Sequence, residues 1–262
     1  RIGLRALVSQ APMAPKMALP PTNAGATSGQ PDLDSSTQLF AAFRRTKLYD
    51  LLAAAPLITW YGFCLSHQLP TLAQQLAETD LATADIRLLA SLAARIATPV
   101  FLVVLAVLLT LRHKPQAKAG GLYPRLAAVG GTYLGVAIVL LPARELSAPL
   151  SVLAALMMLA GTVLSTFAAL SLGRSISMLP EARRLVTRGP YRLVRHPLYV
   201  SEAVALAGVT LQYLSPLALL LLALQCVFQL ERMKNEERVL AGTFPEYRVY
   251  AAATARLVPG LY

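Results

Sequence analysis

Residues 88–111 read LLASLAARIATPVFLVVLAVLLTL, with Arg95 as the one charge in the run. A helix needs about 20 residues, at about 1.5 Å of rise each, to cross a hydrocarbon core of about 30 Å. This run is long enough, and five more apolar segments surround it. Before it lies 48–69; after it come 126–142, 150–172, 200–213 and 216–230. Residues 48–69, 88–111 and 150–172 qualify as spans outright. The last two are short and joined at Leu214-Ser215-Pro216, which reads as a tight helical hairpin. Hydrophobic residues make up 56% of the 262 positions and charged residues 14%, against about 45–50% and about 25% in soluble domains. A soluble fold would have to hide all these runs in one small core. The expectation is an all-α, polytopic membrane helical bundle of about five to six spans, with a C-terminal hairpin. Pro56 and Pro99 fall inside spans, where neighbouring helices satisfy the freed carbonyls. Arg95 either snorkels from its span or marks a later helix start.

The net charge of +11 invites a nucleic-acid reading, but its distribution argues for a lipid bilayer as the partner. Arg44, Arg45 and Lys47 precede the first span. Arg112, Lys114, Lys118 and Arg125 fill the second loop, and Arg174, Arg183, Arg184, Arg188, Arg192 and Arg195 the fourth. The tail holds Arg232, Lys234, Arg238, Arg248 and Arg256. The intervening loops offer Arg87 and Arg144. Cations collect on alternate sides, so both termini and the fourth loop belong on the cytoplasmic face. Short loops and an acid-poor composition suit a bacterial inner membrane. Residues 1–40, rich in Ala, Pro, Gly, Ser and Thr, read as a disordered N-terminal segment. Residues 41–172 form the N-terminal spans, and 173–262 a distinct C-terminal region. Cys64 and Cys226 each lie inside an apolar run, so neither a disulfide framework nor a metal site is expected.

Charge that could do chemistry concentrates in that C-terminal region. Gly189-Pro190 signals a turn. Pro197 pushes His196 toward an extended conformation, so a helix starts after it. His196 then sits at a helix N-terminus, which attracts a carboxylate or phosphate. Beyond the hairpin, Arg232 and Glu236 are spaced to share one helical face if the last helix runs on. Phe244, Tyr247 and Tyr250, alternating with charges, suggest a segment packed back on the membrane face.

Taken together, Gly-Pro-Tyr-Arg-x-x-Arg-His-Pro-x-Tyr (189–199), an apolar hairpin, Arg-x-x-x-Glu-Glu-x-x-Leu (232–240), Phe-x-x-Tyr-x-x-Tyr (244–250) and Arg-x-x-Pro (256–259) resemble the isoprenylcysteine carboxyl methyltransferase family, a relative of the membrane phospholipid N-methyltransferases. The resemblance covers residues 173–262. It implies S-adenosylmethionine as cofactor and a lipophilic or small amphiphilic methyl acceptor, with no metal. By position in the motif, Tyr191, His196, Pro197, Leu198 and Tyr199 should line the cofactor site. Arg183, Arg184, Leu185 and Val186 match a strip whose backbone embraces the cofactor. In the eukaryotic enzymes that strip begins with His, and Arg183 stands in its place here. Arg232 and Glu236 match the catalytic pair at the acceptor. Two other readings remain open: an NADPH-dependent sterol- or steroid-type membrane reductase of related architecture, and a membrane scaffold without catalysis.

Overall fold

A computed structural model of the chain describes residues 35–43, 46–80 and 82–260. Residues 1–34, which make up most of the expected disordered segment, lie outside the described residues, as do Arg44 and Arg45 of the topology argument. The chain divides into an N-terminal unit, residues 1–40, and a main unit, residues 41–262. Helix α1 (Ser35–Phe43) begins in the first. The main unit is an all-α membrane bundle of α2 (Lys47–Glu78), α3 (Ile86–Leu111), α4 (Tyr123–Ile138), α5 (Ala148–Leu172), α6 (Pro197–Gln212), α7 (Pro216–Thr243) and α8 (Tyr247–Ala253). A two-residue antiparallel pair joins β1 (Ala117–Lys118) to β2 (Glu181–Ala182).

Local chemistry sets several boundaries. Thr46, Asp85 and Ser215 each accept a backbone N–H of the first turn of α2, α3 and α7, satisfying donors that a helix start leaves unpaired. Pro216 sits in the first turn of α7 and Pro197 in that of α6, where a missing N–H costs nothing. Pro56, Pro70 and Pro99 lie inside their helices. Arg95 does not start a helix: it lies inside α3, and its Nη1 donates to Gln75 Oε1 at 2.6 Å, bracing α3 against α2.

The hairpin is less symmetrical than its apolar run suggests. Its second arm does not stop near residue 230. α7 continues to Thr243, about 42 Å at 1.5 Å per residue, and carries the Arg232 to Leu240 motif on the same helix. Among the described residues, the helices long and apolar enough to cross a membrane are α2, α3, α5 and α7. α4 and α6 have 16 residues each, about 24 Å, and are shorter than a full crossing.

Close backbone approach holds α6 on α5. A Cβ at Gly161 would fall 2.4 Å from Ala205 N, and one at Gly208 2.6 Å from Ala154 O. Small residues at such a crossing let dispersion and polar contacts replace the hydrophobic drive that lipid removes. Between α4 and α7, Gln225 donates to Gly131 O and accepts from Gly135 N. Leu57, Leu105, Leu109, Ala169 and Ile176 form the apolar centre shared by α2, α3 and α5. Val100, Val103, Val107, Leu164 and Phe167 face outward, as lipid-facing positions do.

Candidate active site

The segment between α5 and α6 frames one wall of a cleft, and two sets of polar contacts fix it. At its start, Gln116 N donates to Ala182 O at 2.7 Å, Ala119 N to Pro180 O at 2.9 Å, and Gln116 Nε2 to Arg183 O at 2.9 Å. At its end, Arg195 N and His196 N donate to Ala255 O and Arg256 O of the tail. The Tyr250 hydroxyl donates to Tyr191 O at 2.6 Å. The tail therefore does fold back, onto the His196 segment.

The cleft opens between this segment, the start of α6, the far half of α7 and α8. It encloses about 100 Å³ of space that water can occupy. Arg183, Arg184, Leu185, Val186, Tyr191, His196, Leu198, Tyr199, Arg232 and Glu236 all line it. Pro197 does not; it serves as the first residue of α6. Tyr247, Tyr250, Leu240, Ser177 and Leu179 line it too, and sequence reasoning assigned none of these a role in the site.

At one end of the cleft, Arg232 is only 7% exposed. It is not a solvated surface pair with Glu236. Its Nε lies 3.3 Å from Glu236 Oε1 as an i,i+4 ion pair, yet makes no hydrogen bond. Nη1 and Nη2 donate to Thr132 Oγ1 and Ser177 O at 3.3 and 3.4 Å. The guanidinium stands 4.9 Å from the Tyr199 ring centroid, and the Tyr199 hydroxyl donates to Glu236. Two long hydrogen bonds and an unused N–H leave this fork able to take an incoming oxygen or nitrogen.

Two ion clusters hold the cleft from behind. Glu237 gathers Arg195 at 2.9 Å, His196 Nε2 at 3.1 Å and Arg256 at 2.7 Å. His196 thus caps α6 through its backbone position rather than its ring, which stacks on Tyr199 at 5.4 Å. On the other side, Asp50, 2% exposed, accepts from Arg112 Nε at 2.9 Å and from Arg183 Nη2 at 2.8 Å. Arg183 also bonds Glu181 at 2.6 Å and donates to His113 O. Its Nη1 and Nη2 are taken up by this network, while its Nε is buried without a hydrogen-bond partner. Burial alone would raise the Glu181 carboxyl. The charges of Arg183 and Lys118, with the Ser177 hydroxyl, outweigh it and hold Glu181 below the usual carboxylate range. Burial raises the phenols of Tyr191 and Tyr247 and pushes Tyr250 up to about 12, so all three remain hydrogen-bond donors. The Tyr247 hydroxyl is buried and without a partner.

Glu237 stood in the quoted Glu-Glu pair and was passed over for its neighbour. Asp50, an acid inside an apolar run, carried a visible signal: such a group needs a partner. Nothing in the sequence shows that the partners come from Arg112 and Arg183.

Comparison with known proteins bears on this same region. The chain is 39% identical over 79 residues to the cobalt-zinc-cadmium resistance protein CzcN of Cupriavidus metallidurans, a stretch covering 29% of this chain and 36% of that protein. It is 34% identical over 83 residues to the nickel-cobalt-cadmium resistance protein NccN of Alcaligenes xylosoxydans xylosoxydans, covering 31% and 38%. The match thus spans little more than a third of either relative. Residues 150–247, from α5 to the start of α8 and including His196, Tyr199, Arg232 and Glu236, match the model of the phospholipid methyltransferase family.

Proposed function

We propose that the chain is an integral membrane methyltransferase that uses S-adenosylmethionine to methylate a lipophilic or small amphiphilic acceptor. What carries the reading is convergence. The strip at residues 183–186, the His196 to Tyr199 turn of α6 and the Arg232–Glu236 pair come from three separate elements and line one cleft. Residues 173–262 act as the methyltransferase region, and the spans of residues 41–172 support it. The alternating distribution of cations in the sequence favours the cytoplasmic side for the cleft.

The residues suit this cofactor. Its sulfonium is a cation, and the face of Tyr191 attracts one. Its carboxylate suits the start of α6, and the buried, unpartnered Tyr247 hydroxyl is a donor awaiting an acceptor. When bound, the cofactor supplies an activated methyl group for in-line displacement. The chain's own contribution is to hold the two reactants about 3–3.5 Å apart, in line and away from water. Arg232 orients the acceptor and stabilises negative charge there. Glu236 fixes Arg232 and the Tyr199 hydroxyl. α7 runs from lipid directly into the cleft, so a lipophilic acceptor can enter sideways from the bilayer.

His196→Ala tests the cofactor half. It removes the ring stacked on Tyr199 and leaves Glu237 with Arg195 and Arg256. The expected outcome is a folded protein whose adenosylmethionine affinity by calorimetry falls about tenfold or more, the loss of one good polar contact. Unchanged affinity would take His196 out of the site.

A further inference from the structure

One turn deeper along the same two helices lies a second polar layer that the cleft residues leave unassigned. Glu202 follows Tyr199 at i+3 on α6, and Gln229 precedes Arg232 at i−3 on α7, so each lies on the same face as its cleft neighbour. Gln229 Nε2 donates to Glu202 Oε2 at 3.2 Å. Gln229 Oε1 is buried with no hydrogen-bond partner, while Arg232, one turn further along α7, turns its Nε to Glu236. α4 closes the back of this layer: a Cβ at Gly131 would lie 2.9 Å from Gln229 Oε1, and Thr132 receives Arg232 Nη1. The charges of Glu202 and Arg232 both reach the Tyr61 hydroxyl of α2. Glu202 also feels Arg232 and Glu236 of α7, and the hydroxyls of Tyr199 and Tyr191 lie within its field.

A carboxyl in the apolar part of a membrane hairpin is expensive and marks a functional position unless another group neutralises it. Gln229 is neutral, and Arg232 is shared with Glu236. Helix–helix hydrogen bonding would account for Gln229 meeting Glu202. It does not account for the Gln229 acceptor, which is buried in this layer without a donor. Together with the Glu202 carboxylate it makes the layer rich in acceptors, the complement of a head group that brings its own X–H.

We propose that Glu202 is the proton acceptor of the methyl-acceptor site, and that the site takes a protic nucleophile, an amine or a thiol, rather than a carboxylate. The inference rests on the methyltransferase reading above. In the step, the nucleophile's X–H proton passes to the Glu202 carboxylate and its lone pair forms the X–CH₃ bond. The S–CH₃ bond breaks with its electron pair going to sulfur, which becomes a neutral thioether. A carboxylate acceptor brings no proton for Glu202 and would meet two carboxyl groups across one guanidinium.

The test uses the full chain in lipid nanodiscs with three chain-matched probes: dodecylamine, dodecanethiol and dodecanoate. Binding is measured as thermal stabilisation in the presence of S-adenosylhomocysteine, and turnover by transfer of a labelled methyl group. Dodecylamine or dodecanethiol should bind at least tenfold more tightly than dodecanoate. Glu202→Gln should erase that preference while leaving adenosylmethionine affinity within about twofold. It should also lower turnover on the preferred probe about 10²-fold, the lower end of a general base's contribution. The deficit should shrink as pH rises and the probe sheds its own proton. Glu202→Asp, which keeps the carboxylate, should restore the preference in part. Preferred binding of dodecanoate, no preference among the probes, or a Glu202→Gln variant indistinguishable from the parent would overturn the proposal. Failure of the parent chain to bind adenosylmethionine would instead remove the methyltransferase reading beneath it.

Discussion

Arg232 is a guanidinium buried at the mouth of a membrane helix pair, and its surroundings decide what its loss should do. An exposed i,i+4 pair contributes a few tenths of a kcal/mol and can be deleted without consequence. This pair is enclosed by Tyr199, Thr132 and Ser177. Arg232→Lys keeps the charge and removes the planar fork. It should leave adenosylmethionine affinity within about threefold and lower kcat about 10²-fold or more, as loss of an oriented charge donor does. Glu236→Gln should behave alike, since a neutral amide neither balances Arg232 nor accepts from Tyr199 as a carboxylate does. Single-turnover methyl transfer checks both, and near-normal rates would return the pair to a packing role. Glu181 makes a prediction about pH. Its folded carboxyl lies below the ordinary value of 4.5, so its contribution to stability is complete above that value. The contribution is lost as pH falls through the lower, folded value. The unfolding midpoint should therefore drop on acidification below about pH 4.5, and Glu181→Gln should flatten that acid limb while lowering stability at neutral pH.

Among the elements, the α5–α6 contact is the one that fixes where His196 and Tyr199 stand, because α6 begins at the cleft and lies along α5. Gly161→Leu should force the helices apart, destabilising the fold by about 1–3 kcal/mol or more and weakening cofactor binding with it. Gly62→Leu on α2 is the control: nothing lies within 4 Å of a Cβ there, and stability should change little. Thermal unfolding in detergent separates the two. Helix positions were legible because apolar runs, capping residues and prolines are local signals. The continuation of α7 was not, because hydropathy falls at Glu231 while the helix does not end. Its polar last turns are held by partners supplied from elsewhere, such as Tyr123 on Glu231 and Arg195 on Glu237. The same reason hid the Gly161 and Gly208 crossing, since a glycine in an apolar run does not reveal which helix approaches it.

For the whole molecule, the site is a joint product of sequence segments far apart. The motif residues 183–199 and 232–240 were readable as a set, because their order and spacing resemble one family, and they do meet in one cleft. What the sequence left dark is the support. Asp50 of α2 and Arg112 after α3 lie outside the family match at 150–247, yet they anchor Arg183 at the head of the strip at residues 183–186. Glu202 was overlooked in the apolar hairpin, since its importance comes from Gln229 and Arg232 across the helix pair. A related architecture can also serve a nicotinamide-dependent reductase, so the identity of the cofactor is the claim on which the rest depends. The most direct measurement is thermal unfolding of the full chain in nanodiscs with adenosylmethionine, S-adenosylhomocysteine or NADPH in turn. The methylated and demethylated sulfur cofactors should each raise the midpoint saturably, by RT ln(1 + [L]/Kd) in stability, with NADPH without effect and His196→Ala blunting the response. Protection by NADPH, with none from adenosylmethionine, would contradict the account.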